Sequence, residues 1–171
     1  MIGGSEYPIN ADFRDVLEII GYLNDISRPE FIRWRTAVGL FYDGEVPDKY
    51  LHEAMEYLAE FISYGEGDNA PGPKLMDWEQ DAKIIIGEVN KVAGIEVRAV
   101  PFLHWWTFLS YFYGIGEGQL STIVSIRSKL KRGKKLEKWE REWYVKNRSA
   151  VDFEVKLTSA EEDLLKKWGG G

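Results

Sequence analysis

Pro101-Phe102-Leu103-His104-Trp105-Trp106-Thr107-Phe108-Leu109-Ser110-Tyr111-Phe112-Tyr113 decides how this chain folds. Proline opens the stretch at a position where its missing N–H costs a helix nothing. Almost every side of the helix that follows, Phe102 to Tyr113, is apolar or aromatic, and a helix apolar all round belongs inside a protein. It is too short to span a bilayer, and it contains His104. The expectation is all-α: a compact single-domain helical bundle of about seven to eight helices, with residues 102–113 as its central helix. Trp105 and Trp106 point in different directions, so at least one should be fully buried.

On the C-terminal side, Gly114, Gly116 and Gly118 end this helix. Their alternate spacing is like a degraded phosphate loop, but they follow a helix rather than a strand and no Lys-Ser/Thr comes after them. They read as a terminator. A sixth helix then turns Leu120, Ile123, Val124 and Leu130 inward, and a charged helix carries Leu136, Trp139 and Trp143 on one side.

On the N-terminal side, residues 95–99 read as a short strand or extended turn. A fourth helix, capped by Asp77 and ended by Gly94, carries Trp78, Ala82, Ile85, Val89 and Val92. Three glycines and two prolines in residues 65–73 mark a connection, a mobile loop at 65–74 within one domain. Before it come three helices. Asn10 or Asp12 caps the first, whose stripe is Phe13, Val16, Leu17, Ile20 and Leu23. Ser27 caps the second, with Glu30 completing a capping box and Phe31, Trp34, Val38 and Phe41 inward. Pro47 begins the third, with Leu51, Met55, Leu58 and Ile62 inward. The domain should occupy residues 1–150. Residues 151–171 form a C-terminal segment, with a short amphipathic helix at 159–168 and a disordered glycine tail at 169–171. Thr158 and Ser159 each precede a Glu by three residues, which allows two overlapping capping boxes. Leu164, Leu165 and Trp168 fall on one side and are candidate partner-binding residues.

The composition narrows the function. The chain has 171 residues and no Cys, so disulfides and thiolate zinc sites are excluded. The N-terminus has no charged segment followed by an apolar run, so it does not read as a signal peptide. A formal net charge of −6 disfavours nucleic acid and anionic membranes as partners. Lys129, Lys131, Arg132, Lys134, Lys135, Lys138 and Arg141 form a local basic run beside Trp139 and Trp143. Glu137, Glu140 and Glu142 dilute it, so it reads as a solvated, mixed-charge helix.

The tempting chemical cluster is Asp77, Glu79, Asp81 and His104, but no His-x-x-x-His or Glu-x-x-His pair accompanies it. Arg127 is the lone cation on an apolar stretch of helix six and needs a carboxylate partner if buried; Glu79 and Asp81 are the candidates. Asp77, Glu79, Asp81, His104 and Arg127 are therefore read as a structural polar cluster. His104 is taken as a core histidine and His52 as solvated. No nucleophile motif appears, so the expectation is no enzyme, no catalytic or metal site and no cofactor.

Four blocks carry a resemblance: Tyr7-Pro8-Ile9-Asn10-Ala11-Asp12-Phe13-Arg14, Leu75-Met76-Asp77-Trp78-Glu79-Gln80-Asp81, Leu103-His104-Trp105-Trp106-Thr107-Phe108, and the Ile-x-x-Ile-Arg pattern of Ile123 to Arg127. In order and spacing they resemble the bacteriophage gene-product-fifteen family of long-tailed phages and prophages of Gram-positive bacteria, over roughly residues 5 to 148. The resemblance implies a non-enzymatic role in tail morphogenesis, in the cytoplasm of the bacterial host. It points to a tail assembly chaperone binding the tape measure protein, and secondarily the major tail protein, with self-association open. The alternatives are a virion structural component, in the tail or connector, and a nucleic-acid-binding regulator.

Overall fold

The computed structural model describes residues 1–64, 72–154, 158, 161, 167 and 168. Among them are eight α-helices and no strands, so the protein is all-α. The helices are α1 (Phe13–Leu23), α2 (Glu30–Phe41), α3 (Leu51–Ile62), α4 (Ala82–Ala93), α5 (Trp105–Tyr113), α6 (Gln119–Lys131), α7 (Lys138–Lys146) and α8 (Arg148–Val151). No helix among the described residues is long and apolar enough to cross a membrane. The chain divides into two compact units, residues 1–67 with 155–171, which hold α1–α3, and residues 68–154, which hold α4–α8.

In the first unit, Asp12 caps α1 by accepting the Arg14 N–H at 2.9 Å. Phe13, Val16, Ile19 and Ile20 of α1 are buried, as are Ala37, Val38 and Phe41 of α2 and Ala54, Leu58 and Phe61 of α3. Rings do much of the filling: Phe41 lies 5.0 Å from Phe61 and 4.9 Å from Tyr42, centroid to centroid. The lead-in strand-like segment is tied to the end of α2 by Asn10 N–H to Phe41 C=O (2.8 Å) and Asp43 N–H to Pro8 C=O (2.9 Å).

Two readings of α2 change. Its N-cap is Pro29 rather than Ser27, whose hydroxyl donates to Asp25 instead. Asp25 also holds Arg28, so the turn is closed before the helix begins. Phe31, expected inward, is 65% exposed. The buried stripe starts only at Ala37; in the first turns of α2, Arg33 reaches the Leu23 carbonyl at the end of α1.

In the second unit, Gly94 ends α4 in the left-handed region (φ +69°), as a C-terminal glycine should. Asp77 caps not α4 itself but the turn before it, and α4 begins at Ala82. Residues 97–99 form a single 3₁₀ turn rather than a strand, since Asn90 and Glu96 take up the local N–H groups.

The deciding helix starts at Trp105, not Phe102. The His104 side chain accepts the Trp106 N–H at 3.2 Å and acts as its cap, and Phe102 stays outside the helix and 59% exposed. Trp105, Phe108 and Leu109 are buried, while Trp106, Thr107, Ser110 and Tyr113 are exposed. α5 therefore enters the core by one face instead of being wrapped on all sides. The polar Thr107 and Ser110 are the residues that leave its other side solvated.

Leu130 and Trp139, expected inward, are exposed, and their places are taken by Ile126 and Glu140. Ile123, Ile126 and Val151 form a small core with Ile84, Leu136, Trp143, Tyr144 and Ala150 packed around it.

Candidate functional site

Leu75 to Asp81 leads into α4, and its side chains form a junction in the second unit. Asp77 Oδ1 accepts the N–H groups of Glu79 and Gln80, both at 2.9 Å, and closes the turn. Lys74 Nζ meets its other oxygen at 2.5 Å. Burial pushes the Asp77 carboxyl up, but Lys74 and the two N–H donors outweigh that and hold it down at about 2. Trp78 packs its ring against Trp105 (5.7 Å) and Phe112 (4.9 Å) of α5.

Asp81 faces Arg127 of α6. The pair is bidentate, Nη1 to Oδ2 at 2.6 Å and Nη2 to Oδ1 at 2.9 Å, with side chains 1% and 2% exposed. Of the two carboxylates the sequence leaves open, the structure selects Asp81. The rest of the guanidinium is used too. Nε donates to Val151 C=O at 2.8 Å, Nη1 to Leu75 C=O at 3.0 Å, and Nη2 to Ala150 C=O at 2.9 Å. All five N–H groups of the guanidinium are thereby satisfied. Its face lies 4.0 Å from the Phe153 ring centroid, a cation–π contact.

Gln80 completes the junction. Its side-chain amide donates to Asp152 C=O at 2.8 Å and accepts the Glu154 N–H at 3.1 Å, as a strand neighbour would. Sequence reasoning passed over Gln80 as a site residue, although it stands inside the block Asp77-Trp78-Glu79-Gln80-Asp81. Its signal was the unbroken run of polar residues around one Trp. The result is that Leu75–Asp81, α6, α8 and residues 150–154 meet at one buried cation. With every donor taken, this arrangement joins backbone segments and leaves the guanidinium no N–H for a ligand.

His104 lies on α5 as a cap, half-buried, with its ring 5.5 Å from Trp106 and 6.5 Å from Phe102. It is not a fully buried core histidine, because its lone pair serves the helix end. Glu79 gives its backbone N–H to Asp77. Among the described residues no group of three or more His, Asp or Glu side chains is placed to hold a metal ion.

Two further buried carboxylates belong to the same unit. Glu140 of α7 accepts Lys129 Nζ at 2.7 Å on both oxygens and the Glu137 N–H at 2.8 Å. Lys129 holds its carboxyl below the usual carboxylate range. Glu140 was read as part of a solvated face; its spacing of four from Leu136 and three from Trp143 was the signal that it points inward.

Glu88 of α4 accepts the Gln119 N–H at 3.3 Å and caps α6 from a neighbouring helix. Gly118 permits this: a Cβ there would stand 2.9 Å from the Glu88 carboxylate. The glycine loop that looks like a phosphate cradle thus already has an anion of the protein's own at the helix end.

Of the candidate partner-binding residues, Trp168 is 84% exposed, and Leu164 and Leu165 lie outside the described residues. Ser159 and Glu162, the second capping pair, also lie outside them, as do the glycine tail and residues 65–71 of the connection. Thr158 and Glu161 form a reciprocal capping box: Thr158 N–H and Oγ1 donate to the Glu161 carboxylate at 2.8 Å, and Glu161 N–H donates to Thr158 Oγ1 at 3.3 Å.

No curated protein and no solved structure matches the chain. A family model does, that of the bacteriophage Gp15 protein, over residues 1–153. The matched span ends at Phe153, the ring that covers the Arg127 guanidinium, so the Arg127–Asp81 pair and that ring lie within it. The chain belongs to the bacteriophage Gp15 protein family.

Proposed function

We propose that this phage protein acts without catalysis in tail morphogenesis, in the host cytoplasm, as an assembly chaperone that holds the tape measure protein before the tail tube forms around it. The observation that carries the reading is the apolar surface left at the α1–α2 turn. Ile26, Phe31 and Ile32 are 46%, 65% and 43% exposed within one turn and the loop before it. Large apolar groups clustered on a surface serve binding more often than stability. A long helical client offers complementary apolar stripes, which such a surface takes in the helix-in-groove mode. Trp168 adds a second exposed ring. Many weakly bound copies along one client give strong net binding through effective concentration.

The test is co-expression of the full chain with the tape measure protein of the same phage. The expected result is a soluble client that co-purifies with the chain, a yield that falls for Phe31→Ser with Ile32→Ser, and no copies of the chain in purified particles. A client equally soluble without the chain overturns the reading. Stoichiometric copies in particles favour a structural role in tail or connector instead.

A further inference from the structure

We propose that the protein associates with further copies of itself, the basic surface of α6–α7 on one copy meeting the acidic stripe of α3 on another. Charge is unevenly placed along the chain. Residues 1–64 hold twelve Asp and Glu against five Lys and Arg, whereas residues 72–154 hold eleven against fourteen. The excess cation is concentrated in residues 129–148, with nine Lys and Arg against three Asp and Glu. One of those three, Glu140, is buried against Lys129, so it does not offset the outer field.

What remains outside is Lys131, Arg132, Lys134, Lys135, Lys138, Arg141 and Lys146, all exposed. Among them stand two large apolar side chains, Trp139 at 58% exposed and Val145 at 72%. A ring set within cations is the usual composition of an interface anchor, where the apolar group supplies affinity and the charges supply register and rate.

The complement is present on the same molecule. Glu53, Glu56 and Glu60 are spaced three and four apart on α3, one stripe of one helix, and all are exposed. Tyr57, 40% exposed, lies between them and answers Trp139 with a second ring. A polyanion such as nucleic acid is the competing occupant. It is disfavoured by the net charge of −6 and by Glu137 and Glu142, which interrupt the basic face. A protein surface that alternates carboxylate and ring fits that interruption better.

The test uses two full-length charge-reversed chains and sedimentation velocity over a range of concentrations. In the first, Lys134, Lys135 and Lys138 become Glu; in the second, Glu56 and Glu60 become Lys. Circular dichroism confirms that both keep their helicity. The wild-type chain should associate in ~0.05 M salt and dissociate toward monomer in ~0.5 M salt, where charges are screened. Each variant alone should associate about tenfold more weakly or not at all, because like charges now face each other. Mixed one to one, the variants should associate again, since each supplies the surface the other needs. A wild-type chain that is monomeric at every concentration in low salt overturns the proposal, as does a first variant that associates like the wild type. So does a mixture that stays monomeric, or a monomer that shifts a DNA fragment through the same lysines. None of these results depends on whether the tape measure protein is the client.

Discussion

The two helical units are held together by different physics. The α1–α3 unit is filled by aliphatic side chains and rings. Its one buried ion among the described residues is Asp12, which caps α1 and meets the half-buried Arg14, while pairs such as Arg28–Asp25 and Arg35–Asp48 lie at the surface. The α4–α8 unit buries Asp77, Asp81, Glu88, Arg127 and Glu140. The difference tracks the shortest elements of the second unit, since its α4 and α6, with 12 and 13 residues, match those of the first. α1, α2 and α3 have 11 or 12 residues each, enough for a continuous apolar stripe. α7 has 9 and α8 only 4, too few to be stable or to bury much area on their own. Short elements are fixed by directed bonds instead: Arg127 to the end of α8, Lys129 to α7, and Tyr144 and Arg148 to Asp152. Apolar packing tolerates adjustment, whereas a buried ion does not tolerate losing its partner.

The largest expected effect comes from breaking that asymmetry at its centre. Arg127→Met leaves Asp81 buried and unpaired and should cost about 3–5 kcal/mol. Urea unfolding followed by Trp fluorescence measures it. Adding Asp81→Leu to the same chain should recover part of the loss, since it removes the unpaired charge but leaves the Leu75, Ala150 and Val151 carbonyls without their donor. If the double variant is as unstable as the single one, the junction is not governed by the ion pair.

Gly3→Ala probes the first unit, where contacts are steric rather than ionic. Gly3 has φ +55°, and a Cβ there would stand 2.2 Å from the Tyr50 ring. The ring must swing as a whole to make room, whereas a carboxylate at the end of a flexible side chain need only turn. The expected loss is about 2 kcal/mol, read from the same unfolding curves. A neutral outcome would show that the Gly3–Tyr50 contact adjusts freely.

Acid should separate the units by mechanism. The folded-state pKa of Asp77, about 2, is below its ordinary value. Its contribution is therefore present above about pH 4 and is lost as pH falls toward about 2, about 2 kcal/mol in all. Glu140, held down by Lys129, adds loss of the same sign. Stability measured between pH 7 and pH 2 should fall less in Asp77→Asn than in the wild type. Parallel curves would show that Asp77 is not the group being titrated.

The smallest effect is expected at Gly118→Ala. Here φ is 178°, extended backbone that any residue adopts, so no strain arises. The added Cβ only pushes the Glu88 carboxylate off the start of α6. Losing that cap should cost about 1 kcal/mol. The comparison with Gly3→Ala is the informative one, because it sets a flexible neighbour against a rigid one.

Periodicity made the helices legible. Phe13, Val16 and Ile20 of α1 and the terminating role of Gly94 and Gly114 were readable, because they depend on residues within a turn or two of each other. By contrast α3, expected to turn Leu51, Met55, Leu58 and Ile62 inward, buries Ala54, Leu58 and Phe61 instead. Helix starts were less legible: Ser27 and Pro101 are sound local signals, yet Asp25 and His104 supply the bonds that set the actual ends. The inward turn of α7 was misread by one residue, Trp139 for Glu140, because a buried ion pair hides inside a charged sequence.

What the amino-acid sequence determined by itself is the all-α class and the family, since both follow from spacing and short blocks that do not depend on distant contacts. It also required Arg127, if buried, to have a carboxylate. Only the tertiary structure decided that the carboxylate is Asp81, 46 positions away, and that Gln80 grips residues 152–154. Only it placed Glu88 at the start of α6 and left Phe31 outside. Hydrogen bonds between segments depend on where the chain returns to itself, and no local preference encodes that return.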